Sequence, residues 1–361
     1  MSRLGFALLV VVSLLFSLGL LMVFDTTSAE IIDRGSHVDP HGPFYKQCAF
    51  GLMGIALGVG TYRLKVSEMM RHSQVLFWVA TALLVCVFMP GIGQTINGAR
   101  RWIGAGGLTF QPSEFARLVI PIAYIGWIVK QEGPLDVRTF LRQLGVLALP
   151  CGLILLEPDT GTTVLLFGAA VVLFWLTHIP FSYWLMPLVA IGVVGGGVAL
   201  QMPHVQARLR VYLHPESDLR GKGHQPHQAK IAVGSGGLTG RGLGESLQKM
   251  NYLPEARSDY IAAVYAEEMG FVGVLFLILL YMAFAFCGIA IAMRAPDRAQ
   301  FLLASTFTFL LGIQAFINLG VVSALLSSKG MALPFFSQGG SSLAMNCAAV
   351  GVLLQIARRR R

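Results

Sequence analysis

The sequence is poor in charge, because only 12% of its 361 residues are Asp, Glu, Lys or Arg while 55% are hydrophobic. Soluble globular domains carry about 25% charged residues, so this composition excludes an ordinary soluble domain. The 16 prolines and 41 glycines are too few and too scattered for a disordered or collagen-like chain. The apolar residues that remain are enough for about ten membrane-spanning helices of about 20 residues each.

Cysteine is also scarce, and all five cysteines stand in apolar stretches without a CxxC pair. This pattern predicts small buried hydrophobic side chains and argues against a disulfide framework or a zinc site. His224 and His227 form an HxxH pair in a polar loop, but no carboxylate or cysteine at ligand spacing accompanies them. We therefore predict no metal ligands and no required cofactor, and leave a divalent cation open.

Ten apolar runs predict an all-α, polytopic membrane protein with about ten transmembrane helices. We expect a single membrane domain over residues 1–361 and a large extracytoplasmic loop at about 202–258. The first run is longer than the 7–15 apolar residues of a signal peptide, so we predict a retained first helix. The runs cover about 4–24, 47–62, 74–93, 114–129, 144–156, 161–177, 185–201, 269–293, 301–323 and 339–356.

The net charge of +9 could indicate nucleic-acid binding, but in a membrane protein it more often reflects loop charges that set orientation. If the N-terminus is inside, thirteen Lys and Arg residues lie inside and six lie in the shorter outer loops. This bias predicts that both termini are cytoplasmic, without a nucleic-acid partner. The arginine run 358–361 fits contact with anionic membrane lipids.

The long outer loop is basic, with eight Lys and Arg against four Asp and Glu over 202–258. Long loops are translocated largely regardless of charge, so the surplus has a neutral explanation. The alternative is that the outer face binds an anion. Arg100 and Arg101 beside Trp102 favour that alternative, since arginine binds phosphate through several hydrogen bonds and tryptophan settles at headgroup depth. The same residues could also be ordinary interfacial anchors.

Two pairs of charges stand at predicted helix ends on this face. Glu114 and Arg117 are three residues apart, so they share a helix face as a cavity-facing pair or a structural ion pair. Glu157 and Asp159 interrupt two apolar runs, where carboxylates need water or the nearby arginines as partners. A simple turn is the alternative for this second pair.

Two later segments have open interpretations. The glycine-rich segment 234–244 matches neither GxGxxG nor a P-loop, so it either provides backbone N–H groups for an anion or is simply flexible. Asp259 could cap a helix beginning nearby or act as a base at the membrane–water boundary. Glu267 and Glu268 lie either at the mouth of the next helix or within the membrane.

Six ordered strings together resemble one family, the bacterial SEDS proteins of shape, elongation, division and sporulation. The resemblance extends from about residue 94 to the C-terminus. Within the family, QK at 248–249 before YLPEA at 252–256 is more similar to the division proteins FtsW than to the elongation proteins RodA. The strings are NGARRW at 97–102, QPSE at 111–114, EPDTG at 157–161, GLG at 242–244, LPEARSD at 253–259 and FSQGGSS at 336–342.

The resemblance implies a peptidoglycan glycosyltransferase that polymerises lipid II into glycan strands at the outer face of the cytoplasmic membrane, for division or shape. It implies a class B penicillin-binding protein as partner and Asp259 as the catalytic base. The chain departs from the family at Arg117, where lysine is usual, and at Gln338, where tyrosine is frequent. We predict that the substrate-binding residues are Asn97, Arg100, Arg101, Trp102, Glu114, Arg117, Asp159, Thr160, Lys249, Glu255 and Ser341.

Two other functions compete with this one. A flippase for the lipid-linked precursor should place polar groups near the bilayer midplane, often at broken helices. A non-catalytic scaffold for a penicillin-binding protein should not need Asp259. The charges of this sequence gather at one face, which favours surface chemistry over transport.

Overall fold

The computed structural model describes residues 2–34, 42–96, 98–105, 108–131, 133, 135–201, 205–206, 223–250, 253–327 and 330–358. These residues form eleven helices and three strands. The helices are α1 (Arg3–Arg34), α2 (Gly42–Arg63), α3 (Val66–Phe88), α4 (Pro112–Lys130), α5 (Val137–Leu156), α6 (Thr160–Leu176), α7 (Phe181–Gln201), α8 (His224–Ser235), α9 (Ile261–Met293), α10 (Arg298–Val322) and α11 (Gly340–Ile356). The strands are β1 (Gly93–Ile96), β2 (Ala99–Ala105) and β3 (Leu108–Phe110).

The ten predicted apolar runs correspond to ten of these helices, which confirms the all-α fold. Helix α8 lies inside the long loop and was not predicted, because its sequence has almost no net apolar character. The small antiparallel sheet β1-β2-β3 was also not predicted. Its strands are short and carry polar and charged residues, so they lack the alternation that marks a half-buried strand.

Six helices of the described residues are long and apolar enough to cross a membrane, by length and composition. They are α1, α3, α4, α5, α9 and α10, and α6 and α11 are shorter apolar helices. Several apolar helices in one chain indicate a multi-pass membrane protein. Asp136, Asp159 and Asp297 cap α5, α6 and α10 by accepting hydrogen bonds from backbone N–H groups of the first turn.

Helix α4 lies at the centre of the bundle, packed against α3, α6, α10 and α11, and is buried on most sides. Helices α2 and α11 approach each other closely at glycines. A Cβ atom at Gly351 would lie 2.2 Å from the carbonyl oxygen of Gly58. The hydroxyl of Thr61 donates a 2.8 Å hydrogen bond to the carbonyl oxygen of Ala348 across the same contact. Small residues permit this close helix packing, which is typical of membrane bundles.

Helix α9 is broken at Gly270, whose φ of 64° lies in the left-handed region. Four backbone bonds to the loop after α8 replace the helical bonds lost there. Phe271 and Val272 donate to the carbonyl oxygens of Gly237 and Leu238, at 2.9 and 3.1 Å. The carbonyl oxygens of Glu267 and Glu268 accept from the backbone N–H groups of residues 241 and 242, both at 3.0 Å. The long loop therefore provides the hydrogen-bond partners for the backbone of α9 at its break.

Candidate active site

Polar side chains from distant parts of the chain meet at one end of the bundle. The segments that meet are the start of α4, the turn between α5 and α6, and the segments that precede α9 and α11. Ser341, at the start of α11, ties two of them together. Its hydroxyl accepts a 3.0 Å hydrogen bond from the backbone N–H of Gln111 and lies 3.5 Å from the carbonyl oxygen of Thr109.

Asp159 links α4 to α6. One carboxylate oxygen accepts hydrogen bonds from the hydroxyl of Ser113 at 2.9 Å and the side-chain amide of Gln111 at 3.2 Å. The other oxygen accepts from the backbone N–H of Thr162 at 3.1 Å, so Asp159 is the N-cap of α6. The positive end of the helix dipole stabilises a carboxylate there. Thr160, the first residue of α6, is half-buried beside it.

Glu114 and Arg117 form the ion pair that their spacing predicted, at 2.8 Å, and both side chains are buried. The guanidinium of Arg117 also donates hydrogen bonds to the side-chain oxygens of Gln314 on α10 and, at 2.7 Å, of Asn346 on α11. Arg117 thus points into the helix bundle. Only 5% of its side chain is exposed, so the guanidinium is enclosed by Glu114, Gln314 and Asn346.

The predicted arginines of the second outer loop lie on β2 and hold main-chain oxygens. Arg100 donates to the carbonyl oxygen of Met89 at 2.6 Å. Arg101 donates to the carbonyl oxygens of Glu157 and Pro158, at 2.9 and 2.6 Å, and so clamps the turn between α5 and α6.

Two further residues of that loop, Trp102 and Asn97, were predicted to bind substrate. Trp102 is half-buried on β2 and pairs with Gln94 of β1. Asn97 lies outside the described residues.

Glu157 is fully buried in the same turn, and neither of its carboxyl oxygens has a hydrogen-bond partner among the described residues. Its pKa is raised to about 8, mainly by burial and also by the neighbouring charge of Asp159, while Arg101 lowers it. At neutral pH this carboxyl is therefore mostly protonated.

Asp259 stands two residues before the first residue of α9 and is half-buried. The N-cap of that helix is Tyr260, so the interpretation of Asp259 as a helix cap is wrong. Its main-chain oxygen accepts a 2.9 Å hydrogen bond from the side-chain amide of Asn318 on α10. Its carboxylate lies against Gly330, where a Cβ atom would come within 2.8 Å of the Oδ2 atom.

Glu255 precedes this segment and is exposed, with a φ of 56°. Its carboxylate accepts a 2.7 Å hydrogen bond from the hydroxyl of Ser258. Glu255 therefore lies at the surface close to Asp259 in the chain.

Lys249, predicted to bind substrate, instead lies in a buried ion cluster. Its ammonium group is 2.7 and 2.8 Å from the two carboxylate oxygens of Asp25 on α1, and 2.8 Å from an oxygen of Glu268 on α9. Only 3% of the lysine side chain is exposed. These contacts join α1, the long loop and α9, and they favour a positioning role over direct contact with a substrate.

Glu267 also binds the long loop. Its carboxylate accepts hydrogen bonds from the hydroxyl of Ser246 at 2.5 Å and from the backbone N–H groups of residues 247 and 248, at 3.3 and 3.2 Å. Arg241 lies 3.5 Å from it. Glu267 and Glu268 both precede the break at Gly270. Their contacts hold the long loop against α9.

Several polar residues of this cluster lie inside apolar helices and were not predicted from the sequence. Gln314 and Asn318, four residues apart on α10, and Asn346 on α11 are each at most 2% exposed. Polar side chains within membrane helices generally have partners or a function, so their position alone could have drawn attention to them. Within the described part of the chain, no group of three or more His, Cys, Asp or Glu residues is arranged to hold a metal ion.

A bundle of apolar helices with a buried polar cluster at one end defines a multi-pass membrane protein with a candidate site at that end of the bundle. The comparisons with known proteins then give the family. The family model FTSW_RODA_SPOVE, described as "Cell cycle protein", matches residues 6–361. The chain belongs to this family.

Relatives resemble the chain over nearly its full length. "Probable peptidoglycan glycosyltransferase FtsW" of Thioalkalivibrio sulfidiphilus is 36% identical, over 99% of this chain and 90% of that relative. "Stage V sporulation protein E" of Bacillus subtilis is also 36% identical, over 98% and 97%.

Solved structures agree with these relatives. A chain from "Structural coordination of polymerization and crosslinking by a peptidoglycan synthase complex" has a TM-score of 0.79 and 26% identity, over 98% of this chain and 97% of that one. Thermus thermophilus "Rod shape determining protein RodA" has a TM-score of 0.69 and 27% identity, over 97% and 95%. The SEDS resemblance is confirmed, and so is the likeness to FtsW.

Proposed function

We propose that this protein is a peptidoglycan glycosyltransferase that polymerises lipid II at the outer face of the bacterial cytoplasmic membrane, with both termini in the cytoplasm. The observation that carries the proposal is the position of Asp259. Asp259 is half-buried, follows a segment that is exposed at residues 254 and 255, and stands just before α9 at the end of the bundle where the polar cluster gathers. The relatives named as peptidoglycan glycosyltransferases support the same activity.

Asp259 is the general base of the proposed reaction. The acceptor sugar hydroxyl attacks the anomeric carbon of the donor lipid II, and its proton passes to the Asp259 carboxylate. A new glycosidic C–O bond forms, the bond from the anomeric carbon to the phosphate oxygen breaks, and undecaprenyl pyrophosphate leaves with the electron pair. A correctly placed base contributes about 10²–10⁴-fold to the rate of such a step.

Positive charge near the leaving pyrophosphate stabilises the negative charge that develops on it. Arg100 and Arg101 lie on β2 at this end of the bundle and are half-buried, so part of each side chain is accessible to a substrate. The buried Glu114–Arg117 pair and Asp159 set the local field and shape of the site. We place the polyprenyl tail of the substrate in the surrounding lipid and its headgroup beside the sheet, where Trp102, Thr160, Glu255 and Ser341 bind it. Asn97, outside the described residues, keeps its predicted role in substrate binding.

The proposed partner is a class B penicillin-binding protein that crosslinks the peptides of the new strand. The similarity to a chain of a peptidoglycan synthase complex supports such an assembly. Membrane lipids surround the apolar helices, and we propose no nucleic-acid partner.

The break in α9 could suggest a transporter, since broken helices form the substrate sites of many transporters. Its position argues against this function. The part of α9 after Gly270 has 23 residues, which is about 34 Å of helix and enough to cross the hydrocarbon core by itself. Glu267 and Glu268 lie before that spanning part, and the chain's own loop occupies the break. The observations therefore favour chemistry at the membrane surface.

The test is polymerisation of labelled lipid II by the purified protein with its penicillin-binding partner. Asp259→Ala should leave the protein folded and inserted but abolish polymer formation. Glu245→Gln, which removes an exposed carboxylate from the same loop region, is the matched control and should retain activity. Full polymerisation by folded Asp259→Ala protein would contradict the proposed base. Movement of lipid II across vesicles without polymer would favour the flippase.

A further inference from the structure

Two side-chain amides on α10 connect Arg117 to the segments that precede α9 and α11. Gln314 and Asn318 are four residues apart, so they lie one above the other on the same face of the helix. Both are 2% exposed, in a helix that is otherwise largely apolar. Burying an amide is costly unless it is hydrogen-bonded, so the partners of these side chains define what they do.

Asn318 holds two separate segments with one nitrogen atom. Its side-chain amide donates to the main-chain oxygen of Asp259 at 2.9 Å and to that of Met331 at 2.7 Å. The first oxygen belongs to the segment before α9, and the second to the segment before α11. Both hydrogens of the amide are thereby used, and the two segments are fastened to the same point of α10.

The two segments touch at the proposed base. Gly330 precedes Met331, and a Cβ atom there would come within 2.8 Å of the Asp259 carboxylate. The position of the carboxylate thus depends on the distance between these two segments. Asn318 sets that distance, because it binds the main chain of both.

Gln314 links the segment before α11 to Arg117 in a similar way. Its amide nitrogen donates a 2.7 Å hydrogen bond to the carbonyl oxygen of Ala332, and its oxygen accepts from Arg117. The two amides, one helical turn apart on α10, therefore bind the consecutive residues Met331 and Ala332. Gln314 also binds the buried guanidinium of Arg117.

We infer that Asn318 is a positioning residue that fixes the Asp259 carboxylate by pinning the segments before α9 and α11 to a single point of α10. The inference rests on the proposed function for its effect on catalysis, but the pinning itself does not. The expected consequence is that loss of the amide moves the carboxylate while substrate binding elsewhere in the site is retained.

The first test measures kcat and KM for lipid II polymerisation. Asn318→Leu, similar in size but without a donor, should lower kcat about 10- to 100-fold with KM within about threefold, since small displacements of reacting groups cost this much. The matched control is Thr306→Val, which removes a buried hydrogen bond to the carbonyl oxygen of Leu302 on the same helix. It should keep kcat. Wild-type kcat in folded Asn318→Leu protein overturns the inference if the labelling rate in the second test is also unchanged.

The second test works without activity. In a cysteine-depleted protein carrying Asp259→Cys, the rate of maleimide labelling reports the surroundings of the side chain at 259. Asn318→Leu, or Asn318→Asp if the leucine variant does not fold, should change this rate severalfold, and Thr306→Val should not. An unchanged rate overturns the inference. A changed rate with retained polymerisation by Asn318→Leu supports the pinning and contradicts Asp259 as the base.

Discussion

At the scale of single residues, three side chains hold the guanidinium of Arg117 in place. It pairs with Glu114 at 2.8 Å and donates to Gln314 and Asn346, all within the bundle. A guanidinium stays protonated at any working pH, so this residue supplies fixed charge and cannot carry protons. The ion pair itself follows from the spacing in sequence. The two amide partners of Arg117 are 197 and 229 residues further along the chain, on α10 and α11.

We expect Arg117→Lys to keep a substantial part of the activity, because the charge remains and only the forked hydrogen bonds are lost. Arg117→Ala should cost about 3–5 kcal/mol of stability, since it leaves Glu114 buried without its cation. Polymer yield and melting temperature at matched amounts of folded protein measure both effects. Arg71→Ala, which breaks an exposed pair with Glu68, should change little. Equal activity of the Ala, Lys and wild-type proteins would place Arg117 outside the site.

Glu157 predicts a dependence of stability on pH. Its pKa is raised from 4.5 to about 8 in the folded protein, so the folded state holds a proton that the unfolded state releases between these values. Stability should therefore fall as pH rises through this window, by about 1.4 kcal/mol per pH unit for this group alone.

Glu157→Gln copies the neutral form and should remove this dependence. The melting temperature in detergent, measured from pH 5 to pH 9, should fall less steeply with pH for the variant than for the wild type. Glu68→Gln, at an exposed position, is the control and should follow the wild-type curve. Parallel curves for Glu157→Gln and wild type would contradict a neutral carboxyl at this position.

At the scale of elements, the break in α9 depends on the glycine-rich loop. Gly240 has a φ of 79°, and a Cβ atom there would lie 2.0 Å from the carbonyl oxygen of Glu268. The flexible interpretation of this segment is therefore wrong: its glycines allow close backbone approach. Lys249 and Asp25 then anchor the same loop to α1.

Gly240→Ala should destabilise the protein, because the left-handed backbone costs about 1–2 kcal/mol for a residue with a Cβ atom and the clash displaces the loop. Gly234→Ala is the matched control. Gly234 lies in α8 with open space around it, so alanine should be neutral or slightly stabilising there. Thermal unfolding of both variants is the measurement. A Gly240→Ala protein as stable as Gly234→Ala would show that the loop does not depend on this contact.

At the scale of the whole molecule, orientation in the membrane remains a prediction from thirteen inside Lys and Arg residues against six in the shorter outer loops. In a cysteine-depleted protein, Ser217→Cys should be labelled from outside intact cells by a membrane-impermeant reagent. Ser217 lies in the long loop, outside the described residues. Ser67→Cys, at the exposed start of α3 between two predicted inner basic residues, should be labelled only after lysis. The reverse pattern would contradict both the topology and the proposed reaction at the outer face.

Local patterns predicted much of the architecture because they depend on short-range physics. The helices follow from long apolar runs, and the Glu114–Arg117 pair follows from helical spacing. The site was predicted less completely. The strings around Asp159 and Asp259 carried the family resemblance, but Lys249 was assigned to substrate and lies in an ion cluster with Asp25 and Glu268.

The sequence by itself determined the membrane class, the ten apolar helices and the family, since composition and ordered motifs are properties of the chain alone. Only the tertiary structure decided which polar groups meet. Asn318 and Asp259 are 59 residues apart, and Lys249 and Asp25 are 224 apart. Contacts at such separations are set by how helices pack, and no local pattern encodes them. A buried polar group must find a partner wherever packing provides one, so the partners became known only from the fold.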